Sequence, residues 1–194
     1  MIIKKNFKYL FSLIVLVLML FFSLVSASAA SRTPTYPKNS KFSRGVANTC
    51  YYINSSASSY TSKINKAANL WEYNGWDNPI YMTAVSSNYA THMDFYGKTP
   101  SNDQNLDSNT NGYTTVYNSS GKQMTFGSSN WFYAKIVINK SSSANQATVV
   151  HEMGHAFGLA HYPSNSSSIM YPYSSGRKVS SPQKCDVDTI NYLY

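Results

Sequence analysis

The chain has 194 residues, a formal charge of +8 and only eight acidic residues. That length allows one domain with its own core. No Lys/Arg run is long enough to read as a nucleic-acid patch, so nucleic acid is not expected as a partner. The positive balance either favours anionic surroundings, such as cell-wall polymers or membrane headgroups, or serves solubility alone.

Lys4, Lys5 and Lys8 precede an uncharged, mostly apolar run from Tyr9 to Val25, and Ala27-Ser28-Ala29-Ala30 offers small-residue cleavage sites. Residues 1–30 therefore read as a secretory signal peptide, with an uncleaved anchor as the alternative for a slightly long apolar run. The expected location is extracellular, with association to the cell surface as an alternative. Removing the leader takes away three lysines and no acids, which lowers the charge from +8 to +5. Residues 31–47 are rich in Lys, Arg, Pro and Ser and read as a flexible lead or a short propeptide. Residues 48–194 form the expected folded domain.

Cys50-Tyr51-Tyr52-Ile53 reads as a first strand. Ile64, Ala67, Ala68 and Trp71 recur at i, i+3, i+4 and i+7, the pattern of an amphipathic helix. Trp71 and Trp76 are expected in the core. Asn74-Gly75 and Asn78-Pro79 mark the turn after this helix. Ile80 to Val85, His92 to Tyr96, Tyr113 to Tyr117 and Trp131 to Ile138 are the further strand candidates. Residues 97–112 form a polar loop in which Asp103-x-Asn105-x-Asp107 opens like a calcium loop. Ser108 replaces its glycine and Thr114 its terminal glutamate, so calcium is only a secondary expectation. Ser143 and Gln146 form a capping-box pattern at the start of the next helix, and Ser181-Pro182 reads as the opening of the last one. Tyrosine, with 17 copies, is abundant, which suits exposed amphipathic surface or substrate contacts.

The second helix runs into His151-Glu152-Met153-Gly154-His155-Ala156-Phe157-Gly158-Leu159-Ala160-His161. Residues i and i+4 lie on one helix face, so His151 and His155 can point at one metal ion. Gly158 can leave the helix in a conformation that costs other residues dearly, returning His161 as a third ligand. Three protein ligands leave a fourth position on zinc for water, the arrangement of a catalytic site. Zinc lowers the pKa of that water, and Glu152, beside the first ligand, is placed to accept its proton as general base.

His-Glu-x-x-His-x-x-Gly-x-x-His, followed by Ser168-Ile169-Met170-Tyr171-Pro172-Tyr173, resembles the metzincin zinc peptidases with their Met-turn. The stretch from Ser181 to Tyr194 resembles the last helix of the matrixin branch. This resemblance implies an α+β fold: a twisted, mostly parallel five-stranded sheet with an antiparallel edge strand and three helices. It implies that Met170 floors the zinc site, and that Pro172 and Tyr173 line the pocket for the side chain after the cleaved bond. It also implies that an edge strand, around Tyr113–Tyr117 or Thr125–Gly127, pairs with an extended peptide. Two departures bear on the pocket. Matrixins usually have tyrosine four residues after the methionine, where this chain has Ser174, and serine after the third histidine, where it has Tyr162. Only His92 remains outside the triad, so the family's second zinc site is not expected, and His92 reads as a surface or strand-end residue.

Cys50 and Cys185 are an even count in an exported chain and read as a disulfide, with two free thiols as the alternative. In the resemblance Cys185 replaces the first of two acids early in the last helix, and Asp186 keeps the second, which hydrogen-bonds behind the Met-turn. The Pro-Arg-Cys-Gly latency motif is absent. The function expected is that of a secreted, monomeric, zinc-dependent endopeptidase acting on proteins or peptides. The alternatives are a zinc-containing cell-surface binding protein with little or no catalysis, and a small toxin-like or bacteriocin-like factor.

Overall fold

The computed structural model describes residues 40–194. Residues 1–39, which include the expected signal peptide and most of the expected lead, lie outside the described residues. The strands are β1 (Thr49–Ile53), β2 (Met82–Val85), β3 (Met93–Lys98), β4 (Gly112–Tyr117), β5 (Gln123–Met124) and β6 (Tyr133–Asn139). The α-helices are α1 (Thr61–Glu72), α2 (Gln146–Ala156) and α3 (Lys184–Leu193), with a 3-10 turn, Ser55–Tyr60, leading into α1. The strands form one sheet in the order β2-β1-β3-β6-β4-β5. β2, β1, β3 and β6 are parallel, and β4 runs antiparallel to β6. The sheet thus has six strands where five are expected. The addition is the two-residue β5, which pairs only with Val116 and Tyr117.

β6 explains the sheet's centre. Ala134 and the run Ile136 to Asn139 are all buried, the near-continuous pattern of a strand covered on both faces. α1 buries Ile64, Ala67, Ala68 and Trp71, the four positions its periodicity marks. The Trp71 indole donates to the Val150 carbonyl at 2.9 Å and meets the Phe157 ring edge-on at 5.4 Å, which fixes α1 against α2. α2 itself is buried on nearly all sides, from Thr148 through Gly154. A helix with so little solvent face depends on tertiary packing for its stability.

Several local expectations are corrected. α2 is capped by Asn145, whose side chain accepts from the Thr148 N–H at 3.1 Å, and not by Ser143. Gln146 instead donates to the Lys63 carbonyl at 3.0 Å and ties α2 to α1. α3 likewise starts after Gln183, which forms the capping box with Asp186, and not at Ser181-Pro182. Trp76 is 39% exposed and lies outside the core. The lead does not extend to residue 47. Phe42 and Val46 are buried, and Phe42 bridges to Trp131, whose N–H donates to the Lys41 carbonyl at 3.1 Å. The Tyr194 hydroxyl accepts from Phe42 N–H and donates to the Phe157 carbonyl, both at 2.8 Å, joining this segment to the end of α2.

Cys50 and Cys185 are not bridged. Each sulfur has a contact of its own: Cys50 Sγ donates weakly to the Asn48 carbonyl at 4.0 Å, and Cys185 Sγ accepts from Asn165 Nδ2 at 3.7 Å. Burial and the adjacent Asp186 push the Cys185 thiol up to about 11, which disfavours the thiolate that disulfide exchange needs.

His92 is a strand-end residue, but buried and not on the surface. Its Nδ1 accepts the Cys50 N–H at 3.0 Å, and its ring meets Phe42 edge-on. Burial, with the nearby Arg44 charge, holds its pKa down to about 4 from 6.5. The unfolded chain therefore binds this proton first. The neutral-His92 contribution is complete above pH 6.5 and is lost as the pH falls towards 4, by up to about 3 kcal/mol. His92→Asn keeps an acceptor for Cys50 but cannot titrate. Its urea-unfolding free energy should fall less between pH 7 and pH 4 than that of the wild type, both measured metal-free. Parallel pH profiles would contradict this assignment.

Candidate metal centre and substrate cleft

α2 places His151 and His155 one turn apart on the same face. The helix ends at Gly158, whose φ of +107° is open to glycine at little cost. The Leu159 N–H then returns to the Gly154 carbonyl at 2.9 Å, and the Tyr162 N–H reaches the Met170 carbonyl at 2.8 Å. This reversal brings His161 back over the helix. His155 Nε2 lies 3.2 Å from both His151 Nε2 and His161 Nε2, and one ligand atom from each ring falls within 4.8 Å of the others.

The donor chemistry fits zinc. His151 Nδ1 donates to the Ile169 carbonyl at 2.8 Å and His155 Nδ1 to the Leu159 carbonyl at 2.7 Å. Those bonds commit the ring protons to Nδ1 and leave Nε2 lone pairs converging on one point. Such lone pairs repel unless a cation lies between them. Tetrahedral zinc with bonds of about 2.0–2.1 Å separates its ligand nitrogens by about 3.3 Å, close to the spacing found. Burial is the leading cause that lowers all three pKa values, to about 4 for His155, so the rings are neutral ligands at pH 7.

The turn beneath the histidines hangs on one carboxylate. Asp186, fully buried at the start of α3, accepts from the Ser168 hydroxyl, from Ile169 N–H at 3.1 Å and from Gln183 N–H at 2.8 Å. Met170 is fully buried directly under α2, where a Cβ on Gly154 would collide with its sulfur and press on Trp71.

Glu152 points to the other side of α2. It is buried, and Thr114 Oγ1 of β4 lies 2.8 Å from its Oε2 and 2.9 Å from its backbone carbonyl oxygen. Burial raises its pKa to about 7, opposed by the Thr114 hydroxyl and the Arg177 charge. Thr114 and Arg177 were not singled out as site residues by the sequence: Thr114 is one threonine in a strand, and Arg177 one of two adjacent cations, with Lys178, in a Ser-rich stretch. His151, Glu152 and His161 open on a cleft of about 410 Å³. The expected Pro172 and Tyr173 line one wall, followed by Ser174 and Ser175, and Asn109 to Gly112 line the other. Asn139, buried at the end of β6, holds that second wall by donating to the Asp107 and Thr110 carbonyls at 3.0 and 2.7 Å. Asp103 and Asp107 bond within the same loop region, Asp103 to the Tyr113 hydroxyl and Asp107 to the N–H groups of Asn109 and Thr110.

Three imidazoles thus converge where one metal ion could be held, with a buried carboxylate beside the first and a methionine beneath the helix. The matrixin family model matches residues 46–194, and the chain belongs to the matrixins, a family of zinc metalloendopeptidases. No curated protein matches the chain at a significant level.

Gly154→Ala should force Met170 and Trp71 apart at the floor of the site. A loss of about 1–3 kcal/mol in urea unfolding is expected, with weaker zinc retention against a competing chelator. An unchanged unfolding midpoint would show that the floor yields without cost.

Proposed function

We propose that this protein is a secreted endopeptidase that cleaves extracellular proteins or peptides with Glu152 as general base. The observation that carries the reading is the buried Glu152 carboxylate beside three preorganised Nε2 ligands. Bound zinc supplies a Lewis acid that polarises a carbonyl and acidifies a water. His151 and His155 would hold the metal in fixed ring orientations, because their Nδ1 protons are tied to backbone carbonyls, and His161 would be the third ligand. Glu152, with a pKa near 7, can take a proton and return it to the leaving amine at neutral pH. Thr114 occupies Oε2 and leaves Oε1 for the reacting water.

β4 supports substrate alignment. It pairs with β6 along its whole length, but β5 covers only Val116 and Tyr117. The outer backbone edge of Gly112 to Thr115, beside Glu152, can take an extended peptide as an added strand. Export is inferred from residues 1–30: Lys-rich start, apolar run and small-residue cleavage site.

The purified protein should cleave denatured casein, and a chelator should stop it. Glu152→Ala should retain one zinc yet lose at least about 100-fold in rate. A Glu152→Ala variant that cleaves at the wild-type rate would remove Glu152 from the chemistry. Zinc binding without cleavage of any protein or peptide substrate would favour a binding protein. N-terminal sequencing of the exported form should begin just after Ala29 or Ala30; a start at Met1 would refute signal cleavage.

A further inference from the structure

The cleft beside the histidines contains a cation whose hydrogen-bond partners are all backbone carbonyls. Arg177 is half-buried and lines this cleft. Among the described residues the one ion pair is Lys184–Asp188, so no carboxylate lies within ion-pair distance of Arg177. Its Nε and Nη2 donate to the Tyr171 carbonyl at 3.0 and 2.7 Å, and its Nη1 to the Ala147 carbonyl at 3.2 Å. A guanidinium has five N–H donors, so one remains on Nη1 and one on Nη2. These bonds fix the fork between the segment after Met170 and the first turn of α2, which preorganises it for a planar acceptor.

Thr110, Asn111, Ser174 and Ser175 add further polar groups to the lining beside Pro172 and Tyr173, which offer an apolar substrate side chain only part of a packing surface. Such a side chain would also separate the remaining guanidinium donors from water, which costs free energy when nothing replaces it. A carboxylate would instead make charge-assisted hydrogen bonds with them. Glu152 is the single carboxylate of the lining, and a bound zinc dication would leave the cleft net positive.

We propose that Arg177 makes this cleft select an acidic side chain, aspartate or glutamate, on the residue that follows the cleaved bond. The proposal rests on the peptidase reading above. Arg177 acts as a specificity residue that contacts the substrate, and it draws acidic segments to a chain whose own acids are few.

Two measurements test it. Peptides differing only in Glu, Gln or Leu after the bond should show kcat/KM in the order Glu, Gln, Leu, with Glu at least tenfold above Leu. Tetrapeptides beginning with Glu, Gln or Leu should follow the same order in calorimetric binding to zinc-loaded Glu152→Ala. Arg177→Met should abolish the Glu advantage, and Arg177→Lys should keep part of it. Because Arg177 also ties Tyr171 to Ala147, either variant could unfold; the wild-type and Glu152→Ala profiles decide without them. Equal or tighter binding of the Leu tetrapeptide would overturn the proposal. Glu-selective binding without cleavage of any peptide would uphold the pocket and refute the peptidase reading instead.

Discussion

The buried carboxylate of Asp186 is the constraint on which the site depends. Its hydrogen bonds reach the start of α3 at Gln183 and the turn at Ser168 and Ile169. Ile169 in turn accepts from His151 Nδ1, so one carboxylate outside the cleft lining orients the His151 ring through two bonds. Burial raises its pKa, and the hydrogen bonds from Ser168, Gln183 and Ile169 act in the opposite direction. Removing one of these neutral partners leaves a buried acceptor unsatisfied, at a cost of about 1–3 kcal/mol. The turn could not sit so close to α2 without Gly154, which has no Cβ to meet Met170. Position and space are therefore set by different residues, Asp186 through the turn and Gly154 through the helix.

The electrostatics follow from that packing. The imidazoles are buried deeply enough to stay neutral, and two have their protons engaged by backbone carbonyls. Glu152 sits in the same dry environment but faces a hydroxyl, Thr114, and not a cation within bonding distance. The same burial thus yields neutral ligands and a carboxylate whose pKa lies near the working pH. The Arg177 charge opposes the rise of that pKa from further off, its guanidinium held by backbone carbonyls.

What was legible in the sequence was local. The i, i+4 histidines, the turn glycine and the buried stripe of α1 each follow from helix geometry alone, and each is found where the spacing places it. Long-range effects were not legible. Phe42 and Val46 are two apolar residues in a Lys- and Ser-rich segment, and only Trp131, far along the chain, gives them a place to bury. The helix caps shifted by two residues because Asn145 and Gln183 both offer side-chain acceptors nearer the helix start than Ser143 and Ser181. The paired reading of Cys50 and Cys185 used only their number and the expected compartment, while the fold gives each sulfur its own neighbour. Thr114 and Arg177 carry no pattern at all; their meaning comes from β4 and the segment after Met170 meeting α2.

The most direct measurement is X-ray absorption at the zinc edge of the zinc-loaded protein. Three imidazole nitrogens at about 2.0–2.1 Å and one light oxygen ligand are expected, with no sulfur. A sulfur shell at about 2.3 Å, or only two imidazoles, would contradict a centre built from His151, His155 and His161.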